Sequence, residues 1–259
     1  MAISDLSVYR SLFNAARGIH LAYMLQGKSN NVEQNVVRSA ATVRQMFDSI
    51  APRYDLLNTV LSGGIHKRWR RDALQFIPEG VERALDVCCG TGDLLPLIAT
   101  RAKLVMGVDF SSEMLKISRA RHPNFFVIEG DALKLPFRDA SFDLVTVAFG
   151  VRNFEDLESG LHEIRRVLTV QGRLIVLEFG QPSSAIFGKL YNCYSNYILP
   201  HIGAFLSGNR EAYRYLPKTA KNFPCGKEFT EILERAGFVA QHFKAHTFGI
   251  AYSYLAMRS

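Results

Sequence analysis

The sequence predicts an α/β fold, a doubly wound and mainly parallel sheet, and three observations predict it. Short apolar runs recur at Ala84–Cys89, Leu104–Asp109, Phe125–Glu129, Leu144–Phe149 and Leu174–Phe179. Helical stretches alternate with them at Leu94–Arg101, Ser112–Arg121 and Leu157–Leu168. The runs are nearly continuous in apolar residues, the pattern of strands buried on both faces. Right-handed crossovers then wind helices onto both sides of the sheet. Ligands of such sheets bind beyond the C-terminal ends of the strands.

The elements outside this alternation are read from their own periodicity. Residues 5–26 carry Leu6, Tyr9, Phe13, Ala16 and Tyr23 at near-helical spacing, and residues 27–34 form a polar linker. Residues 1–36 are therefore an accessory helix or presequence plus linker, ahead of one domain over 37–259. Within it, 37–80 form a helical cap, with helices over 38–50, Tyr54–Leu61 and 66–76. After Gly180, residues 181–226 form a helical insertion before the last strands, rich in aromatics such as Phe187, Tyr191, Tyr194 and Tyr197. A helix over Lys227–Ala236 stops at Gly237, a suitable C′ residue. The segments Phe238–Thr247 and Ile250–Met257 form a C-terminal antiparallel hairpin.

Composition narrows the function classes. With 259 residues, 48% hydrophobic and 21% charged, the chain is neither disordered nor fibrous. The net charge of +7 admits nucleic acid, an anionic membrane surface or an acidic ligand. Cys88, Cys89, Cys193 and Cys225 match neither a zinc spacing nor a secreted disulfide framework, so no metal and a cytoplasmic setting are expected. Polar residues interrupt the uncharged stretch 190–209, which makes it a poor membrane span. At most the protein is peripheral, at the inner face of a membrane.

The first strand runs into LDVCCGTGD, where Gly90 and Gly92 permit positive φ and close approach of a ligand. A dinucleotide fingerprint needs a third glycine where Leu95 stands, and Asp93 opposes a pyrophosphate. A cationic or zwitterionic ligand fits better: S-adenosylmethionine (SAM) carries a sulfonium and an ammonium against one carboxylate. Asp109, ending the second strand, is placed to accept two ribose hydroxyls, or else caps the next helix. After the third strand, Glu129-Gly130-Asp131-Ala132 offers carboxylates and small residues for an adenine edge.

The segments LDVCCGTGD, GVDFSSEML, EGDALKLPF, FDLVTVAFGVRN and GRLIVLEF resemble class I SAM-dependent methyltransferases, which are Rossmann-like. MFDSIAPRYDLLNTVLSGGIHKRWRR, YRYLPKTAKNFP and EFTEILERAGF narrow the resemblance to the UbiE/COQ5 family of demethylmenaquinone and 2-polyprenyl-benzoquinol C-methyltransferases, over roughly 43–259. The resemblance implies methyl transfer from SAM to a ring carbon of a polyprenyl hydroquinone, in menaquinone or ubiquinone biosynthesis. It carries cofactor contacts onto Thr91, Asp109, Asp131 and Ala132. Two positions depart from the family pattern: Ala148 stands where relatives often have Ser, and Leu168-Thr169-Val170-Gln171-Gly172 replaces a Pro-Gly-Gly turn.

Ring methylation needs a developing oxyanion to be held and a proton to be removed. Arg152 and Asn153, just after the fourth strand, are placed for this, followed by Tyr54 and then His66 of the cap. Asp55 and Arg70 belong to the same cap, which is placed to close over the cofactor. Alternatively Arg152 pairs with Glu155 or Asp156, Tyr54 and Asp55 are a capping or packing pair, His66 is a helix-start residue, and Trp69 packs the cap onto the sheet. Arg210, Arg214, Lys218 and Lys221 beside an aromatic corridor suit anionic lipid headgroups. Two other functions stay open: an RNA methyltransferase, suggested by the basic cluster at 67–71, and a non-catalytic SAM-binding member of a quinone-biosynthesis complex. No nucleic-acid partner is expected; a homodimer is an open alternative.

Overall fold

The structure is a computed structural model that describes residues 40–182, 184–198, 201, 215, 217 and 219–259. The accessory helix, its linker, the side chain of Phe187, and Arg210, Arg214 and Lys218 lie outside the described residues.

Seven strands form one sheet: β1 (Val81–Val87), β2 (Ala102–Asp109), β3 (Phe126–Glu129), β4 (Phe142–Ala148), β5 (Leu168–Phe179), β6 (Phe238–His246) and β7 (Ala251–Arg258). Their spatial order is β3-β2-β1-β4-β5-β7-β6. The first five are parallel, and β7 runs antiparallel between β5 and β6. The predicted terminal hairpin is present, with its second strand closing onto the parallel sheet.

Eight helices are described: α1 (Ala40–Ile50), α2 (Tyr54–Ser62), α3 (Ile65–Leu74), α4 (Leu95–Ile98), α5 (Ser112–Arg121), α6 (Leu157–Val167), α7 (Ala185–Cys193) and α8 (Lys227–Arg235). The period-2 alternation of strands sorts the core. Leu85, Val87, Val145 and Val176 pack with Leu161 and Ile164 of α6 and Phe229 and Leu233 of α8. Ala84, Val105, Leu144 and Ile175 point the other way, onto Trp69, Leu95, Ile98 and Leu115. A third cluster joins Val43, Met46 and Ile50 of α1 and Leu57 of α2 to Met114 of α5, which seats the cap over the strand ends. Side-chain caps start α5, where Ser111 Oγ accepts from Met114 N, and α6, where Asp156 accepts from Ser159 N.

Three boundaries differ most from the sequence reading. The helix expected over Leu94–Arg101 is only Leu95–Ile98, because Thr100 N and Arg101 N bond three residues back and tighten the chain into a turn. Strand β5 begins at Leu168 rather than Leu174. Gln171 takes φ 63 and the register shifts between Phe142 and Leu144, so a bulge absorbs the segment expected to turn. Strand β1 begins at Val81, paired with Ala102.

Trp69 of α3 is 4% exposed, and its Nε1 donates to Thr247 Oγ1 at 2.9 Å, tying the cap to the β6–β7 turn. Its ring lies 6.3 Å from Phe149 and 6.4 Å from Phe179. Trp69→Ala is expected to cost about 3–5 kcal/mol of stability, read from the denaturant midpoint at unchanged slope.

Candidate active site

The turn after β1 builds the first of two cavities. Cys88 takes φ 58, Gly90 φ 54 and Gly92 φ 84, turning the chain sharply from strand to helix. A Cβ at Gly90 would meet nothing within 4 Å, so its backbone faces open space. Gly90 N donates to Asp109 Oδ2 at 2.8 Å, and Ser111 N to Oδ1 at 2.9 Å. Burial pushes the Asp109 carboxyl up to about 6 against the pull of these two N–H groups. The cavity, about 770 Å³, is lined by Gly90, Asp109, Gly130, Asp131, Ala132, Ala148, Asn153 and Glu155 among others. Its wall holds three carboxylates and no Lys or Arg among the described residues.

Several expected cofactor residues do other work. Thr91 is buried outside this wall and donates its hydroxyl to Asp55 Oδ1 of α2 at 2.8 Å. Asp55 also pairs with Arg121 of α5. Gly92 is a packing glycine as well: a Cβ there would lie 2.5 Å from Ser118 Oγ of α5. Glu129 pairs with Arg44 of α1 instead of lining the cavity. Asp93 bonds Arg70 Nη1 at 2.8 Å. Asp86 is buried beneath the site, accepts from Thr146 Oγ1 at 2.6 Å, and is raised by burial to about 7.

The second cavity, about 1440 Å³, lies between the cap, the end of β5 and the α7 region. Aliphatic and aromatic side chains dominate its wall, including Met46, Ile50, Trp69, Phe179, Tyr191 and Tyr194. Among the described residues, His66, Arg70 and Arg152 are its ionisable groups besides the tyrosines, and no carboxylate lines it. Phe47, Tyr54 and Phe149 belong to both walls, so the cavities meet there.

The catalytic candidates divide between these spaces. Arg152, in the 3₁₀ turn Val151–Asn153, lines the second cavity while its neighbour Asn153 lines the first. Arg152 Nη1 donates to Glu178 Oε1 at 2.8 Å, and its backbone N to Oε2 at 3.3 Å. The expected partners Glu155 and Asp156 are replaced by this fully buried carboxylate of β5. The Arg152 guanidinium also sits 5.1 Å over the Phe179 ring. Asn153 Oδ1 accepts from Tyr215 Oη at 3.0 Å. Burial raises the Tyr54 hydroxyl's pKa, with the Arg70 charge opposing. His66 is 5% exposed, and its Nδ1 lies 2.6 Å from Ser62 Oγ. Burial, and then the Arg70 charge, lower it to about 4. Trp69 does more than the packing expected of it, since it lines the second cavity too. Glu178 escaped the sequence reading, although a lone carboxylate inside the apolar run Leu174–Phe179 is a signal for it.

The model of the ubiE/COQ5 methyltransferase family matches residues 34–258. The chain belongs to that family. It is 47% identical over 216 residues to a demethylmenaquinone methyltransferase of Deinococcus radiodurans, covering 81% of this chain and 89% of that one. A demethylmenaquinone methyltransferase of Thermus thermophilus is 46% identical over 213 residues, covering 80% and 96%. A SAM-dependent methyltransferase structure from Thermotoga maritima superposes with a TM-score of 0.60 at 20% identity, covering 83% and 99%, which shows the shared fold.

The enzyme is a SAM-dependent methyltransferase, and the first cavity fits that donor. Three carboxylates without a basic neighbour suit a sulfonium and an ammonium, and would repel a pyrophosphate. Asp109 would hold the ribose hydroxyls, with Gly90, Asp131 and Ala132 around the nucleoside. Asp109→Ala is expected to weaken SAM binding by about 1.5–3 kcal/mol, as for a charge-assisted hydrogen bond. Calorimetry on the folded variant checks this, and unchanged affinity would remove Asp109 from the cofactor site.

Proposed function

We propose that the enzyme methylates a ring carbon of a polyprenyl hydroquinone, with demethylmenaquinol as the substrate, in menaquinone biosynthesis. One observation carries this reading: an acid-lined cavity meets a larger aromatic cavity whose charged groups, among the described residues, are all basic. SAM supplies an electrophilic methyl group. The second cavity suits an apolar ring with its prenyl chain, and its cations suit the negative charge that develops on a ring oxygen. The names of the relatives support menaquinone over ubiquinone chemistry. An RNA substrate is disfavoured by the aromatic and aliphatic wall.

Arg152 holds the ring oxygen in this reading, and Asn153, on the cofactor side, orients the reacting groups toward Tyr54 and Phe149. Glu178 fixes the Arg152 guanidinium, so little reorganisation is needed during reaction. Arg152→Ala is expected to keep SAM affinity and lose methyl transfer by on the order of 10²–10³-fold. Because that variant strands Glu178, the double variant Arg152→Ala with Glu178→Gln separates stability from turnover. A stable double variant with near wild-type turnover would take Arg152 out of the reaction.

Delivery of a prenylated substrate calls for contact with a membrane surface. Among the described residues no helix is long and apolar enough to cross a membrane. Leu56, Val60 and Tyr197 are exposed apolar side chains, and the chain carries +7. Binding to anionic liposomes is therefore expected at low salt, weakening as salt rises. Absence of co-sedimentation at low salt would oppose direct lipid contact.

A further inference from the structure

We propose that His66 is the general base of the reaction, its Nε2 taking the proton from the quinol hydroxyl next to the carbon that is methylated. This rests on the quinol C-methylation proposed above and deepens it by naming the group that makes the ring nucleophilic.

The geometry fixes which ring nitrogen is available. Ser62 Oγ donates to Asn58 O at 2.6 Å, one turn back in α2. With its single hydrogen used, that hydroxyl offers lone pairs to His66 Nδ1–H at 2.6 Å. A neutral imidazole protonated at Nδ1 carries its lone pair on Nε2. No described residue bonds Nε2, and His66 lines the aromatic cavity.

The surroundings keep this lone pair free. Arg70 stands one turn along α3, at i+4, and is held by Asp93. Arg70 and Lys67 disfavour a charged imidazole, while Asp93 and Asp55 favour it less strongly. His66 is the second residue of α3, where the positive end of the helix also disfavours imidazolium. Tyr54, Arg152, Tyr191 and Tyr194 share the cavity wall with it, and none of them is a carboxylate that would draw a proton onto the ring.

The step balances with groups already named. The quinol O–H bond breaks and its proton goes to Nε2, while the pair left on oxygen feeds the ring. The ring carbon forms the new C–CH₃ bond as the methyl leaves the sulfonium, and that bonding pair stays on sulfur. The ring carbon then carries both hydrogen and methyl beside a C=O. Water removes that hydrogen, the C–H pair restores the aromatic ring, and the oxygen recovers its proton from the imidazolium. One proton is released to water per turnover.

The test compares wild type, His66→Gln and Ser62→Ala with demethylmenaquinol and SAM. Wild-type kcat/KM is expected to be level from about pH 5 to 8, whereas His66→Gln loses on the order of 10²–10⁴-fold at pH 7 with SAM affinity unchanged. Without its base, the variant depends on preformed phenolate, so its rate should climb about tenfold per pH unit. Ser62→Ala, which leaves the imidazole but frees Nδ1, should fall in between. Long-range ¹H–¹⁵N spectra of His66 give a readout without turnover: at pH 7 they should show Nδ1–H and a bare Nε2, and in Ser62→Ala a shift toward the other tautomer. A protonated Nε2 in the wild type, or a His66→Gln variant with a level profile and near wild-type rate, overturns the proposal. If wild type itself fails to methylate the quinol, the functional reading fails instead, while the spectra still decide the tautomer.

Discussion

A carboxylate sealed inside the sheet holds the site together. Glu178 is wholly buried near the end of β5 and accepts from the Arg152 guanidinium, the Arg152 backbone and Phe179 N. Burying this pair is costly, and the cost is offset by three bonds to the carboxylate and by Arg152 Nη1 donating also to Phe149 O, while Arg152 Nε is left without a partner among the described residues. The return is geometric. With Arg152 clamped, the turn after β4 sends one side chain into the aromatic cavity and the next, Asn153, into the acidic one. The same clamp places the Arg152 guanidinium on Phe179, whose ring stacks 4.6 Å from Phe149 at the junction of the two spaces.

The cap obeys a complementary constraint. Apolar contacts seat α1 and α2 on α5, but the seam with the strand-end loops is polar. Asp48 accepts from Ser111 Oγ, Asp55 from Thr91, and Arg70 bonds Asp93. Each link joins a cap helix to a loop that follows β1 or β2. Each also pairs a buried side chain, Ser111, Thr91 or Arg70, with a half-buried carboxylate, so the seam is shielded more than an exposed ion pair would be.

Charge is segregated by the same architecture. The ends of β2 and β3, with Glu155 beyond β4, supply acids to one cavity, whereas α3 and Arg152 supply bases to the other. Placing acids and bases on opposite sides of Phe47, Tyr54 and Phe149 favours a cation on one side and a developing anion on the other. The low dielectric of an aromatic wall strengthens both preferences.

The family, the parallel sheet and the placement of Asp109, Asp131 and Ala132 were legible in the sequence. They rest on local regularities: apolar runs of strand length, glycines at a turn, carboxylates at strand ends. The chemistry of ring methylation singled out Arg152, Asn153, Tyr54 and His66 as candidates, with pairing to the neighbours Glu155 or Asp156 as the alternative for Arg152. Its partner lies 26 residues away on β5, a pairing that only the parallel register of β4 and β5 creates. Thr91 and Gly92 read as cofactor residues because a strand–turn–helix motif looks the same whether its side chains face a ligand or a cap. In the fold, the Thr91 hydroxyl donates to Asp55 of α2, and Gly92 packs against Ser118 of α5. The order of the catalytic candidates is likewise tertiary. A histidine near a helix start is unremarkable until the fold buries it beside Arg70, braces it with Ser62, and opens the aromatic cavity in front of it. Local pattern determines which residues are near strand ends; long-range packing decides what each one touches, and chemistry follows contact.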